Sequence, residues 1–417
     1  MTGEPFRTGV RAMLLLALAS LAGACDGDGA ADPGANETTA LRTRSHAVGL
    51  SAMPAEPMRP IDNPYIAERV ELGHLLFFDP ILSGPRDVAC STCHLPRFAF
   101  TDGRQFPSGA GAEGLGPDRS DPDPWPLRLM PRNSPPVFNI GLYGRFGIAP
   151  AMNGMMFWSG SAFGLEDQVL LPITADNELR GMTYPKYVAV DSVVARLRAT
   201  NGYVDRFADA FPALVASFGT DPDRLITPAT LRLAVAAYIR ELVTPRAPFD
   251  DFMNGNDAAL GTAAMRGLDL FIGKAGCVRC HTGPVLSDFD LHVLGTLQRG
   301  LGRDTTPGDD LGWGEHGGGR YSFRTAPLRQ IAETPPYFHA GTAETLADVL
   351  RFKNAGRSEH PNVGDADLDP AAGPLGLSDA EIADIIAFLQ SLTDARTVQG
   401  ALFLAPAAVP SGLEVPK

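Results

Sequence analysis

Apolar residues recur every three or four positions in several stretches of the chain, a spacing typical of amphipathic helices. The first stretch covers residues 65–78 and stops at Asp79-Pro80, where the proline ends the helix. The last opens at Ser378, which has the spacing of a capping box with Glu381. Other helices are predicted over residues 165–171, 188–198, 203–211, 228–243, 258–271 and 345–353. The pattern predicts a mainly α protein.

Two long segments between these helices, residues 101–131 and 283–330, show little periodicity. The first of them is rich in Gly, Pro and Asp, and the whole chain contains 36 Pro and 45 Gly among its 417 residues. A loop of about thirty residues is unusual in a compact domain and commonly has a function. We therefore expect long irregular loops that wrap a flat cofactor.

The N-terminus is predicted to be an export signal, residues 1–24. Arg7 and Arg11 precede an apolar run over residues 12–21, which is too short to span a bilayer permanently. The sequence before Cys25 resembles a lipoprotein cleavage box, so Cys25 is predicted to be lipidated, with a plain signal peptide cut nearby as the alternative. Either outcome predicts a location in the periplasm or cell envelope of a bacterium, with membrane attachment only through this anchor.

The composition also suggests where the segments of the remaining chain begin and end. Residues 25–62, rich in Gly, Ala, Asp and Pro, are predicted to be a flexible tether, and residues 396–417 a loose tail. Thr244-Pro245 marks the boundary between two domains. The predicted domains are residues 63–244 and residues 245–395.

Charge narrows the classes of partner. The formal net charge of −13 argues against nucleic acid, whose phosphates need a basic surface. It suits a docking protein with a basic face, although solubility alone explains the charge equally well. The hydrophobic content of 44% is ordinary for a soluble globular protein.

Two short stretches, CSTCH at residues 90–94 and CVRCH at residues 277–281, use four of the five cysteines. CxxCH is the attachment signal for c-type haem, in which both thiolates become thioethers and the histidine binds the iron. A zinc ribbon or a pair of redox CxxC motifs is the alternative. Both pairs carry the following histidine, and the chain has an export signal. The sequence therefore predicts two covalently bound c-type haems.

Further motifs surround these two stretches. In chain order they are LGHLLFFDP (72–80), CSTCH, RNSP (132–135), FW (157–158), CVRCH, PLR (327–329) and PYFH (336–339). Their order and spacing resemble the bacterial di-haem cytochrome c peroxidase family, which includes MauG, over about residues 64–393. The resemblance implies two cytochrome c-like domains, each enclosing one haem c. His94 would bind the iron of a peroxidatic haem, and His281 that of a haem that receives electrons, with Cys90, Cys93, Cys277 and Cys280 as the attachment residues.

Three residues at ten-residue intervals match the family's catalytic positions. The resemblance implies that Trp158 carries electrons between the haems and that Gln168 holds peroxide or water. Glu178 would move a proton from the inner to the outer peroxide oxygen, as O–O cleavage requires. Without the resemblance, Trp158 would be interpreted as a core residue and Glu178 as a solvated surface carboxylate.

Asn133, Thr334 and Pro336 match the family's calcium site between the domains. One side-chain amide oxygen and backbone carbonyls, completed by water, would supply the hard oxygen ligands that calcium prefers. The resemblance thus implies one calcium ion, and an ordinary turn around Asn133 is the alternative.

Two departures from the family change the expected chemistry. Members that need reductive activation have a histidine on the loop after the first CxxCH, and residues 95–131 contain none. We therefore expect the iron of the first haem to be five-coordinate or water-bound in the fully oxidised protein.

The second departure concerns the iron of the second haem, which the family binds with Met, or with Tyr in MauG-type members. Lys353 stands at the matching position, and lysine binds iron only as a neutral amine. The alternative is a solvent-facing Lys353, with the iron five-coordinate or bound by another residue such as His292, His316 or His360. His46 and His74 are expected to be structural, and His339 to belong to a haem environment.

The leading functional hypothesis is an exported di-haem peroxidase that reduces hydrogen peroxide to water. A small c-type cytochrome or cupredoxin would donate the electrons through the second haem. The runner-up is a MauG-like oxidase that uses high-valent iron to modify side chains of a partner protein, and the missing histidine favours it. A third hypothesis is a non-enzymatic electron-transfer relay.

Overall fold

The computed structural model describes residues 33–120, 129–143, 154–298 and 309–417. Over these residues the protein is mainly helical, with long irregular connections. The helices are α1 (Pro33–Ala47), α2 (Ala67–Phe78), α3 (Cys90–Cys93), α4 (Leu165–Gln168), α5 (Leu171–Thr174), α6 (Ala189–Arg198), α7 (Asn201–Ala210), α8 (Pro212–Phe218), α9 (Pro222–Leu225), α10 (Pro228–Arg240), α11 (Pro248–Met253), α12 (Thr262–Ile272), α13 (Leu346–Ala355) and α14 (Asp379–Gln390). Two antiparallel two-stranded sheets pair β1 (Met155–Met156) with β2 (Ala162–Phe163) and β3 (Leu291–Val293) with β4 (Ser322–Arg324).

The predicted helix ends agree with the structure where a cap defines them. Thr227 accepts a hydrogen bond from the backbone of Thr230 and opens α10. The predicted capping box opens α14, since Ser378 Oγ accepts from the Glu381 N–H and the Glu381 carboxylate accepts from the Ser378 N–H. Gly356, at a φ of 58°, closes α13. The helix predicted at 165–171 is divided into α4 and α5.

One apolar core forms where α2 packs against α7 and α10. Phe77 and Phe78 of α2 are fully buried in it, with Tyr238 of α10 at ring distances of 5.3 and 6.5 Å. Gly73 faces the backbone carbonyl of Ala234, and a Cβ atom there would collide with it. Helix α2 contacts the first CxxCH motif, so this core packs against that motif.

A second apolar core forms where α12 packs against α14. Phe271 of α12 meets Phe388 of α14 edge to face at 5.0 Å, and Phe249 of α11 meets the same ring at 5.5 Å. Helix α12 leads directly to the second CxxCH motif. Each motif thus follows a helix that is buried in its own core, as the sequence predicts.

The predicted tether of residues 25–62 is wrong for the part that the structure describes. Helix α1 lies against α12, and Leu41 and Leu50 are buried in the second core. The Gly283 N–H donates to the Gly49 carbonyl at 3.1 Å, next to the second motif. A few apolar anchors fix this segment, although its average composition is that of a flexible chain. Residues 25–32, with Cys25, lie outside the described residues.

The predicted loose tail, residues 396–417, is also wrong. Phe403, Val409 and Val415 are buried in the first core. The Tyr238 hydroxyl donates to the Leu402 carbonyl at 2.8 Å, and the Ser411 hydroxyl donates to Asp79 at 2.7 Å. The N-terminal segment therefore completes the second core and the C-terminal segment the first. The predicted domain limits leave both terminal segments out of the cores that they complete. The division into two domains stays a prediction.

Within the described residues, no helix combines the length and the apolar character needed to cross a membrane.

Candidate functional site

The first CxxCH motif forms α3, with His94 directly after it. The His94 N–H donates to the Cys90 carbonyl at 3.0 Å, and the imidazole Nδ1 lies 3.0 Å from the Phe100 carbonyl oxygen. Because a carbonyl only accepts hydrogen bonds, Nδ1 carries the proton and Nε2 keeps its lone pair. Burial lowers the pKa of His94, so the ring stays neutral, the form that binds iron.

The second motif repeats this geometry. The His281 N–H donates to the Cys277 carbonyl at 2.9 Å, and Nδ1 lies 3.0 Å from the Leu286 carbonyl oxygen. Burial lowers the pKa of His281 to about 4. Phe271 of the preceding helix lies 6.4 Å from the His281 ring, the same distance that separates Phe77 from the His94 ring. Both histidines are therefore held as neutral rings with the lone pair on Nε2.

The cysteines of both motifs have the state that haem attachment needs. All four are free of disulfides. Burial raises the pKa of the Cys90 and Cys93 thiols to about 12 and that of Cys277 to about 11. Reduced, half-buried thiols beside a neutral histidine fit a covalently bound haem, which would cover their exposed part with its own apolar surface.

Glu178 lies within electrostatic reach of the first motif, since its carboxylate contributes to the raised pKa of both Cys90 and Cys93. Its backbone carbonyl accepts a hydrogen bond from the Ala110 N–H at 2.8 Å. A Cβ at Gly109 would collide with this loop, so a glycine there lets the two segments approach. The role of Glu178 as a proton carrier stays a prediction. Gln168, half-buried at the end of α4, keeps its role as a prediction.

A cavity of about 250 Å³ opens beside the second motif. Its walls include Cys277, Cys280 and His281, together with Trp158. The Trp158 indole N–H donates to the Asn133 carbonyl at 2.8 Å. This bond fixes the orientation of the ring between the RNSP segment and the second motif.

The three residues predicted to bind calcium, Asn133, Thr334 and Pro336, line the same cavity. The Asn133 side-chain amide donates to the Arg104 carbonyl at 2.7 Å, so its other amide atom is the oxygen that a cation would need. All three residues line one cavity, and calcium binding stays a prediction.

Lys353 and His292 both line the cavity, whereas His316 and His360 are absent from its described walls. His292 Nδ1 lies 2.7 Å from Asp369 and Nε2 3.1 Å from Asp288. Hydrogen bonds to Asp288, to the Cys280 sulfur and to Asp369 raise the pKa of His292 to about 11. With both nitrogens protonated, His292 has no lone pair for iron.

Lys353 differs from His292 in this respect. Burial lowers its pKa to about 8, in the direction of the neutral amine. Iron binding by Lys353 stays a prediction.

His339 also lines the cavity, buried, with Nε2 2.6 Å from the side-chain oxygen of Gln298. It stacks on Phe323 at 3.7 Å. Of the other histidines, His74 binds the Leu404 carbonyl through Nε2 at 2.8 Å, and His46 is exposed at the end of α1.

Sequence reasoning missed Arg324 and the carboxylate pair around His292. Arg324 lines the cavity from the end of β4. No local pattern singles out Arg324, because the sequence predicts an irregular segment over residues 283–330. Its pairing with β3, which brings Arg324 opposite Leu291, depends on contacts between distant segments.

A mainly helical chain with two matched CxxCH sites has the features of a c-type cytochrome. The chain belongs to the di-haem cytochrome c peroxidase and MauG family. The model of the family described as di-haem cytochrome c peroxidase matches residues 67–258.

Two curated relatives and one solved structure support this membership. Methylamine utilization protein MauG of Methylorubrum extorquens is 32% identical, covering 86% of this chain and 88% of the relative. Cytochrome-c peroxidase IdrP1 of Denitromonas iodatirespirans is 32% identical, covering 82% and 86%. A crystal structure of a MauG-like protein associated with microbial copper homeostasis is 28% identical, with a TM-score of 0.68, and covers 85% of this chain and 97% of that one.

Proposed function

We propose that the protein is an exported di-haem peroxidase that reduces hydrogen peroxide to water. One peroxide takes up two electrons and two protons and gives two waters. Two molecules of a one-electron donor therefore complete the reaction. A small c-type cytochrome or cupredoxin would be that donor. The observation that carries the proposal is the loop of Glu178, whose backbone carbonyl accepts from the Ala110 N–H at 2.8 Å and so lies against the segment that follows the first CxxCH motif.

The haems would supply the redox chemistry at both motifs. Glu178 would take a proton from the peroxide oxygen nearer the iron and deliver it to the farther oxygen, which leaves as water. Gln168 would hold the peroxide by a hydrogen bond. Trp158, fixed by its bond to Asn133, would pass electrons from the second site to the first.

We further propose that Lys353 binds the second iron as a neutral amine. The Lys353→Met variant should then show an optical and magnetic circular dichroism spectrum typical of a thioether ligand. Its second haem should also have a higher reduction potential, because methionine raises the potential of cytochromes c. Potentiometric titration measures this change.

Lys274→Met is the matched control, because Lys274 lies on the surface and pairs with Glu381 at 2.7 Å. Its spectrum and potentials should equal those of the parent protein. Unchanged spectra in Lys353→Met would show that Lys353 is not a ligand.

The proposed location is the periplasm or cell envelope, with a lipid on Cys25. Cys25→Ser should release the protein from the membrane fraction, because a cysteine thioether links the anchor. Unchanged fractionation would contradict the anchor.

The alternative function is a MauG-like oxidation of side chains on a partner protein. Two observations favour it over a simple relay: residues 95–131 lack the histidine that would block the first iron, and a MauG protein is among the relatives.

One experiment separates the candidates. Stoichiometric peroxide is added to the fully oxidised protein, and the spectrum is followed with and without reduced cytochrome c. Rapid oxidation of the cytochrome supports the peroxidase. A long-lived spectral change that the cytochrome does not discharge supports the MauG-like oxidase, and no change in either sample supports the relay.

A further inference from the structure

Arg324 occupies an unusual position in the second site. It is the last residue of β4 and only 7% exposed. Its backbone N–H donates to the Trp158 carbonyl at 2.8 Å, and its guanidinium Nε donates to the Phe157 carbonyl at 3.1 Å. The side chain lines the same cavity as Cys277 and His281. Arg324 therefore joins the backbone around Trp158 to the second CxxCH site.

The guanidinium of Arg324 contrasts with the other buried arginines. Arg132, Arg240 and Arg329 each pair with a carboxylate at 2.6–2.9 Å. Arg119 instead donates to three carbonyl oxygens at 2.7–2.8 Å. In the described ranges, Arg324 has no carboxylate partner, and its remaining carbonyl bond, to Thr325, is long at 3.4 Å.

Two aromatic side chains lie beside the cation instead, and the Tyr143 hydroxyl oxygen accepts a hydrogen bond from the guanidinium. The Arg324 guanidinium lies 4.9 Å from the Tyr143 ring and 5.7 Å from the Phe289 ring. Burial raises the pKa of Tyr143, so this phenol is neutral at neutral pH. Cation–π contacts offset only part of the cost of burying a charge. The arrangement calls for an anion on the cavity side.

A c-type haem held by Cys277, Cys280 and His281 would bring such an anion, since haem has two propionate carboxylates. We propose that Arg324 binds a propionate of the haem at the second site and so links that haem to the Trp158 backbone. The inference rests on the proposed presence of a haem at this motif. Arg324 is a positioning residue in this account, and the indole of Trp158 remains the electron carrier.

The electrostatic consequence is measurable. A cation beside the haem favours addition of an electron, so Arg324 should raise the reduction potential of the second haem. Arg324→Gln should lower the reduction potential of the second haem. The equilibrium constant for electron exchange between the two haems should then change by about tenfold in favour of the first haem, equivalent to ~59 mV for one electron. Arg324→Lys, which keeps the charge, should recover most of the potential.

The test is a potentiometric titration of the fully loaded protein, after its content of two haems has been measured. Arg320→Gln is the matched control, because Arg320 lies on the same segment with its side chain 64% exposed. Tyr143→Phe removes the phenol and keeps the ring. A lower potential in Arg324→Gln alone supports the proposal.

Three results would overturn it. They are an unchanged potential in Arg324→Gln, an equal shift in Arg320→Gln, and a shift in Tyr143→Phe that matches that of Arg324→Gln. Absence of haem from the second motif of the parent protein would instead overturn the proposed function.

Discussion

Replacement of Glu178 by Gln should abolish peroxide turnover while both haems stay attached. The amide keeps the size and polarity of the side chain but cannot accept and release a proton at neutral pH. Proton transfer by a positioned side chain contributes roughly 10²–10⁴-fold to a rate, so kcat/KM for peroxide should fall by about that factor. Stopped-flow mixing with peroxide, after haem content has been measured, tests this expectation.

Asp176→Asn is the matched control for Glu178→Gln. Asp176 lies two residues away on the same loop, exposed, and forms a surface ion pair with Arg180 at 3.3 Å. A surface pair of this kind contributes little to stability, so the control should retain its activity. Full activity in Glu178→Gln would remove Glu178 from the mechanism, and an equal loss in Asp176→Asn would show that the loop rather than the carboxylate matters.

Replacement of Trp158 by Phe should slow electron transfer between the two CxxCH sites. Phenylalanine fills most of the space but lacks the indole N–H that donates to Asn133, and it is harder to oxidise. Donor-driven peroxide reduction should fall by at least about tenfold, or ~1.4 kcal/mol in the barrier. The first reaction of peroxide with the oxidised protein, measured without donor, should keep its rate.

Trp313→Phe provides the comparison. Trp313 is half-buried, packs against Phe163 at 6.5 Å, and is absent from the described cavity walls. Its replacement should leave donor-driven turnover intact. If Trp158→Phe turned over as fast as the parent, electrons would have to travel by another path.

The features predicted best from the sequence are those encoded over short distances. The capping pairs at Thr227 and Ser378 correctly set the starts of two helices, because each needs only residues three positions apart. The CxxCH motifs are equally local, and both keep the histidine orientation that iron binding needs. The mainly helical class follows from the same short-range periodicity.

The features that were missed depend on contacts between distant parts of the chain. Leu50 and Phe403 lie in segments whose average composition is that of a flexible chain, yet each is buried in a core built by other residues. Composition averages over such anchors and so hides them. Arg324 was missed for a related reason: its position is defined by Trp158 and Tyr143, more than 160 residues earlier in the chain.

The ligand of the second iron is predicted from the sequence only in part. The sequence leaves Lys353 and three histidines open. The pair of carboxylates around His292 argues against that histidine, because it occupies both ring nitrogens. A one-dimensional pattern does not place Asp288 and Asp369 on the two sides of one imidazole.

We propose that the two CxxCH sites are unequal, with an open iron at His94 and a closed iron at His281. Electron paramagnetic resonance of the fully oxidised protein tests it most directly. The account predicts one high-spin ferric signal from the first haem and one low-spin signal from the second. Two low-spin signals would mean that a side chain blocks the first iron, and would contradict the account.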